Sequence, residues 1–428
     1  MTRSFLICRA AVAVLIGAVG APLWAAEPLT LAEAQRIAIG RSGELLAHDA
    51  LALAAREQAV AAGQLPDPVL KFGIDNLPVD GPDRGSLSRD FMTMRRIGIA
   101  QEIPRGEKRQ LRAEKFIREA ERVQALRQQT QANVQQGTAI AWLDRYYAQA
   151  QHDLLQRQFE ETGLQAQAAD NAFRGNRGSQ ADVFAARAAV IVLQDRLSQI
   201  DRQRRSAALI LARWVGAAAA ERPLSGLPSW QDTPLQGDGL NEQLQRHPDL
   251  LAITAEIDAA ETEARLAQAD KKSDWSVEAS YAQRGPAYSN MLSIGVSIPL
   301  QWNPKDRQDR ELAARLARVD EAKARHDDAL RKTEADVRGL LNDWQTGKER
   351  LARFRDELIP TSRQRTEAAL TGYRTGKGDL TSVLAARRDE IESRLQALAL
   401  EMETARSWAQ LNFLIPDQPL TAPARSQP

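Results

Sequence analysis

Apolar and polar residues alternate along four short stretches of the chain, which form two pairs. A period of two places the apolar side chains on one face of a β-strand, so each stretch predicts a strand that is half-buried or faces lipid. The adjacent Arg95 and Arg96 blur the alternation of the second stretch. The predicted strands span residues about 68–76, 92–103, 274–283 and 291–300.

Each pair of strands is followed by a very long stretch with the character of a helix. No proline interrupts residues 106–215, and a helix over 106–172 would be about 100 Å long. Its apolar residues are too sparse for a helix inside a globular core, so it must pack lengthwise against partner helices. Helical hairpins are therefore predicted over about 106–215 and 306–414, and Pro360 should kink or split the second.

A shorter helix is predicted ahead of the first pair of strands. Thr30 and Glu33 have the spacing of a capping box, in which two side chains satisfy free amides at a helix start. The helix should continue to about Gly63, because Pro66 and Pro68 follow closely.

The chain contains two weakly similar halves, which are offset by roughly 200 residues. The hexapeptide FRGNRG at 173–178 matches YRTGKG at 373–378, and VFAAR and VLAAR follow at the same distance from each. Matching LLA and IGI/IGV segments precede them in the same order. The predicted divisions are a first repeat at 27–216, a linker at 217–239, a second repeat at 240–416 and a C-terminal tail at 417–428.

The beginning of the chain has the layout of a secretory signal peptide. Arg3 and Arg9 precede an apolar run at 10–21, and Ala25 and Ala26 supply the small residues of a cleavage site. The run is too short for a membrane-spanning helix, although an uncleaved short anchor is the alternative. Residues 1–26 are therefore predicted to direct export and to be removed.

Composition excludes several classes of protein. Lys and Arg total 57 against 56 for Asp and Glu, which argues against a nucleic-acid partner. The single cysteine excludes a disulfide framework, and the four histidines are scattered rather than spaced as metal ligands. No nucleotide-binding or nucleophile motif is present, so we expect no enzyme activity, no metal site and no cofactor.

Four strands cannot close into a membrane barrel, for which roughly eight strands are the minimum. Open sheet edges are not tolerated in lipid, so strands that span a membrane here would have to be shared among several chains. The alternative is a soluble periplasmic coiled-coil protein, structural or adaptor-like, with small β-modules.

The doubled order of helix, two strands, long helix, glycine-containing turn and helix resembles the TolC-like outer-membrane factors, also called the outer membrane efflux protein family. The resemblance covers residues about 30–416 and depends on four segments. The four segments are FRGNRGSQADVFAAR, YRTGKGDLTSVLAAR, IGIAQEIPRGEKR and IGVSIPLQWNPKDR. Within the family, the segments QLPDPVLKFGIDNLP and IAQEIPRGEKR are similar to the heavy-metal efflux branch of the CzcC and CusC type.

The resemblance implies a mainly α fold with a small β part. It implies a homotrimer in the outer membrane of a Gram-negative bacterium, with a twelve-stranded β-barrel continued by a periplasmic α-helical barrel. It further implies the exit duct of a tripartite efflux pump, a passive conduit for solutes delivered by a periplasmic adaptor and an inner-membrane transporter of the RND type. Heavy-metal cations are the expected solute, with multidrug or type I secretion ducts as alternatives.

The resemblance also places a periplasmic gate and adaptor-docking site at the two repeat turns. Asp182 occupies an acidic position of the family and Tyr373 an aromatic one, and together they would make polar links that close the tip. Gly378 replaces an arginine of the family, so Lys377 would have to reach a carboxylate instead. In the alternative interpretation Asp182 caps its own helix and Tyr373 only packs. The candidate residues are Asn176, Gly178, Asp182, Tyr373, Gly376, Lys377 and Gly378, with Asn176 or Gly376 expected in the left-handed conformation.

Overall fold

A computed structural model of the chain describes residues 27–176, 178–233 and 240–415. The predicted signal peptide at 1–26 and the C-terminal tail at 417–428 lie outside the described residues, as does the end of the predicted linker.

Two helices precede the first strand, not one. The predicted continuous helix is wrong at Ser42, whose extended backbone separates α1 (Leu31–Arg41) from α2 (Gly43–Ala62). The Ser42 hydroxyl accepts a hydrogen bond of 3.3 Å from the Leu45 amide and so caps α2.

The four strands form one antiparallel sheet in chain order. The central pairing, which runs from Arg95 opposite Gln283 to Ile103 opposite Trp275, joins the two halves of the chain. The second strand begins at Met94, two residues later than its pattern indicated. The bounds are β1 (Val69–Asp75), β2 (Met94–Ile103), β3 (Trp275–Gln283) and β4 (Met291–Ser297).

Two helical hairpins extend from the sheet, connected by short helices. A π-helical turn, Phe354–Leu358, separates two helices of the second hairpin. Pro360 lies in the first turn after it, so the irregular turn falls where the proline was predicted to kink or split the helix. The helices are α3 (Gly106–Arg174), α4 (Gln180–Val215), α5 (Ala217–Glu221), α6 (Leu240–Leu244), α7 (Pro248–Asp270), α8 (Gln308–Arg353), α9 (Ile359–Arg374) and α10 (Leu380–Asn412).

Two buried tryptophans occupy equivalent places in the central core. Trp142 on α3 donates its indole N–H to the Leu29 carbonyl at 3.0 Å. Trp344 on α8 donates in the same way to the Trp230 carbonyl at 3.1 Å. Each indole therefore fixes the segment that leads into its own half, and both rings lie in the same apolar core.

Ion pairs connect the first hairpin to the second along their length. Arg196 on α4 lies 3.0 Å from the Glu392 carboxylate on α10. Arg406, also on α10, lies 2.6 Å from Asp144 on α3. Pairs of this exposure add little stability, but opposite charges favour one register of the packed helices.

Candidate functional site

One face of the sheet is apolar across all four strands. Alternate side chains of a strand lie on the same face, and the paired residues of neighbouring strands share it. Phe72 is 80% exposed and Ile294 73% exposed, which is unusual for a monomeric soluble protein. The exposed apolar residues of this face are Leu70, Phe72, Ile74, Ile97, Ile99, Tyr281, Leu292, Ile294 and Val296.

The opposite face of the sheet is polar and carries a network of four charges. The Lys71 ammonium lies 2.7 Å from the Glu278 carboxylate, across the intervening β2. The Arg96 guanidinium lies 3.1 Å from Asp75 and 3.8 Å from Glu278. The alternation of β1 indicated a polar face, but the network depends on partners from both halves of the chain and was not foreseen.

The first repeat turn reverses the chain between α3 and α4. Asn176 has a φ of 58°, the left-handed conformation that asparagine tolerates better than most residues. A Cβ on Gly178 would lie 3.3 Å from the Ala172 Cβ and from the Phe173 backbone nitrogen. Gly178 therefore allows the turn to fold tightly against the end of α3.

The second repeat turn has the same construction. Gly376 has a φ of 73°, so the left-handed conformation predicted for Asn176 or Gly376 occurs at both. A Cβ on Gly378 would lie 3.3 Å from the Gly372 carbonyl carbon and the Tyr373 nitrogen. Gly178 and Gly378 therefore each lie close to the end of the preceding helix in the same way. Comparison of the two motifs did not identify this shared geometry.

Asp182 forms a capping box at the start of α4. Its carboxylate accepts hydrogen bonds from the Ser179 amide at 3.0 Å and the Ser179 hydroxyl at 2.7 Å. The Ser179 hydroxyl in turn accepts from the Asp182 amide at 3.1 Å. Within one chain, Asp182 thus has the local role that the alternative interpretation assigns to it.

Asp379 caps α10 at the equivalent place in the second repeat. Its carboxylate accepts a hydrogen bond of 2.6 Å from the Ser382 amide, and this bond lowers the pKa of Asp379 below its usual value. Ser179 and Asp379 were not among the candidate residues. Their signal in the sequence is a Ser or Asp directly before each returning helix.

Tyr373 is half-buried and packs on a small apolar cluster that joins the tips of the two hairpins. Lys377 is exposed and makes no ion pair with the described residues of its own chain. A polar link through Lys377 would therefore need a second copy of the chain. The buried members of the cluster are Ala169, Ala186, Leu380 and Val383.

The described residues contain neither a metal-binding cluster nor a helix suited to crossing a membrane. Among these residues, no group of three or more His, Cys, Asp or Glu side chains is arranged to hold a metal ion. None of the helices in the same ranges combines the length and the apolar character that a membrane crossing requires.

Residues 239–415 match the family model described as outer membrane efflux protein. The chain is 26% identical over 398 residues to the cobalt-zinc-cadmium resistance protein CzcC of Cupriavidus metallidurans. That alignment covers 90% of this chain and 89% of CzcC.

Solved structures share the fold at lower identity. A membrane protein from Pseudomonas aeruginosa matches with a TM-score of 0.77 at 16% identity, over 90% of each chain. The CmeC outer membrane channel of Campylobacter jejuni matches with a TM-score of 0.75 at 13% identity, over 96% of this chain and 94% of CmeC. With the doubled repeat, the two-faced sheet and the long hairpins, these matches show that the second half of the chain is similar to the outer membrane efflux protein family and that the whole chain shares the fold of the CmeC outer membrane channel.

Proposed function

We propose that three copies of this chain form the exit duct of a tripartite efflux pump. The observation that carries the proposal is the four-stranded sheet, which has an apolar face, a polar face and two unpaired edge strands, β1 and β4. Lipid cannot hydrogen-bond the free backbone groups of an edge strand, so a sheet in a membrane must close.

Closure requires strands from other copies. Two copies would supply eight strands and three would supply twelve, both within the range of membrane barrels. The family favours three, which gives a twelve-stranded barrel with the polar face towards the lumen. The 69 residues of α3 extend about 100 Å, enough for the hairpins to continue the duct as a periplasmic helical barrel.

Heavy-metal cations are the proposed solute, supported by the similarity to CzcC along 90% of the chain. The lumen network contains two cations, Lys71 and Arg96, and two anions, Asp75 and Glu278, so its charges balance. A balanced lining suits a passive conduit, with selection left to an RND-type transporter and a periplasmic adaptor. A multidrug or type I secretion duct is the second candidate, because a passive lining serves those solutes equally.

The exposed apolar face argues against a soluble periplasmic coiled-coil protein. A soluble protein would have to cover side chains such as Phe72 and Ile294, which are exposed on this sheet.

The first experiment measures the assembly. The mature protein, purified in detergent, should have the mass of three chains by light scattering corrected for detergent. A stable solubilised monomer would contradict the shared barrel.

The second experiment concerns the solute. Deletion of the gene should lower tolerance to zinc, cobalt or cadmium, or to copper and silver, and the intact gene should restore it. Unchanged metal tolerance together with new drug sensitivity would favour the multidrug duct instead.

The repeat turns are proposed as the periplasmic gate and the adaptor-docking site. Polar links through Asp182 and Tyr373 to neighbouring copies would hold the tip closed, each contributing about 1 kcal/mol or less because the links are exposed. Asp182 also completes the capping box of α4, so its removal weakens the start of this helix for a separate reason.

Planar-bilayer conductance separates the two roles of Asp182. Asp182→Ala should raise the conductance, and the double variant with Tyr373→Phe should raise it further. Ser179→Ala weakens the same cap but keeps the carboxylate, so it should leave the conductance unchanged. Wild-type conductance in the double variant would refute gating by these residues.

A further inference from the structure

The two adjacent arginines of β2 lie on opposite faces of the sheet. Arg96 belongs to the polar network on the lumen face. Arg95 pairs with Ile74 on β1 and Gln283 on β3, which places it on the face that carries Phe72 and Ile97. One of the two cations that blur the alternation of β2 therefore lies on the apolar face.

Arg95 has no anionic partner among the described residues. Its side chain is exposed, and its cross-strand neighbours Ile74 and Gln283 carry no charge. Because β2 is paired on both sides within its own chain, closure of the sheet by other copies adds no strand next to Arg95.

The height of Arg95 on the apolar face follows from the strand register. At the helix end of the sheet, Trp275 is 41% exposed and Trp302 88% exposed, as expected of aromatic residues at a membrane interface. Trp275 lies opposite Ile103, eight residues from Arg95. This separation is about 27 Å along a strand and about 20 Å along the membrane normal at the usual tilt.

An apolar band about 25 Å tall that begins at these tryptophans ends close to Arg95. Arg95 therefore lies at the end of the sheet where loops connect β1 to β2 and β3 to β4. A cation on the lipid face is costly at the middle of the bilayer and nearly free of cost at its boundary. The geometry therefore places the guanidinium at the headgroup level of the outer leaflet, where phosphate groups are abundant.

We infer that Arg95 binds the phosphate of outer-leaflet lipid headgroups and thereby sets the height of the sheet in the membrane. A planar guanidinium can donate two parallel hydrogen bonds to one phosphate, which an ammonium cannot match. The inference depends on the proposed membrane-spanning assembly and adds to it a lipid ligand and one residue that binds it.

The experiment measures lipid binding to the full-length mature protein in detergent. Bisphosphorylated lipid A is titrated and counted by native mass spectrometry, with dephosphorylated lipid A and inorganic phosphate as separate probes. Arg95→Gln should weaken bisphosphorylated lipid A binding about tenfold, and Arg95→Lys should weaken it less. Arg96→Gln is the matched control on the other face and should bind as the wild type does.

Equal binding by the wild type and Arg95→Gln would overturn the inference, as would an equal loss in Arg96→Gln. If inorganic phosphate competes with the same affinity as the lipid, the site binds soluble anions and not lipid, and the inference is overturned. Oligomer mass is measured on the same samples. A monomer in every variant would refute the proposed assembly, whereas normal trimers with unchanged lipid binding would refute the role of Arg95 alone.

Discussion

At the scale of single residues, the two core tryptophans show how duplication preserved one hydrogen bond in two places. Each indole is buried, and each acceptor is a backbone carbonyl in the segment that leads into its half of the chain. Phenylalanine would fill much of the same volume but would leave that carbonyl without its donor.

Trp142→Phe and Trp344→Phe should therefore each destabilise the protein by about 1–3 kcal/mol, the cost of an unpaired buried polar group. Chemical denaturation followed by circular dichroism measures the change. Trp302→Phe is the control, since this ring is 88% exposed, and it should change stability by less than about 0.5 kcal/mol. Equal effects in all three variants would contradict the role of the buried bonds.

His247 combines a helix cap with burial. Its Nδ1 accepts a hydrogen bond of 3.2 Å from the Asp249 amide, so the ring proton of the neutral form is on Nε2. Burial lowers the pKa of His247 below 6.5, although the Asp249 carboxylate nearby acts in the opposite direction. Other charged groups around the same cavity are Arg122, Glu256, Lys332 and Asp336.

A lowered pKa means that the unfolded chain binds the proton more readily than the folded one. Stability should therefore be fully present above pH 6.5 and fall below it, by at most about 1.4 kcal/mol per pH unit until the folded pKa is reached. His247→Asn keeps a capping acceptor without titrating, so it should flatten this part of the unfolding profile. An unchanged profile in His247→Asn would refute the assignment.

At the scale of elements, helix spacing depends on glycines that the hydrophobic pattern does not distinguish. A Cβ on Gly137 of α3 would lie 2.6 Å from Cζ2 of the half-buried Trp214 on α4. A Cβ on Gly339 of α8 would meet nothing within 4 Å. The first glycine allows two helices to approach closely, and the second has no packing role.

Gly137→Ala should therefore destabilise the hairpin by about 1–3 kcal/mol, because the Trp214 ring must move. Gly339→Ala should stabilise it by about 0.5–1 kcal/mol, the ordinary gain of alanine inside a helix. Opposite signs for the same substitution are the expected result in thermal unfolding. Stabilisation by both would show that Trp214 moves aside without cost.

At the scale of the whole molecule, the two faces of the sheet require different surroundings, lipid for the apolar face and water for the polar face. Neighbouring residues near the middle of β4 provide a sharp comparison, since Ile294 lies on the apolar face and Ser293 on the polar face. A lipid-facing carboxylate is unfavourable to a degree that depends on depth, whereas a lumen-facing one remains in water.

Ile294→Asp should reduce the amount of assembled protein in the outer-membrane fraction several-fold, and Ser293→Asp should leave it close to the wild-type amount. Quantitative immunoblotting of fractionated membranes measures both. Normal assembly of Ile294→Asp would contradict the assignment of this face to lipid.

The sequence by itself determined the features that depend on neighbours along the chain. The alternation that marks the strands, the caps, the left-handed turn residues and the duplication all involve spacings of a few residues or one constant offset. Prediction from the sequence failed where two local signals compete, as at Ser42. The residues around it favour one continuous helix, but the Ser42 side chain caps a second helix that starts at Gly43.

Only the tertiary structure decided which residues meet across the two halves. Arg95 and Arg96 lie on opposite faces because adjacent residues of any strand do, but only the pairing of β2 with β1 and β3 gives each of them its surroundings. The same pairing brings Glu278 to Lys71, 207 positions away. The alternation within each strand disfavours a one-residue slip, because a slip would set apolar residues opposite polar ones. It does not say which strands pair, because that choice depends on contacts between residues nearly 200 positions apart.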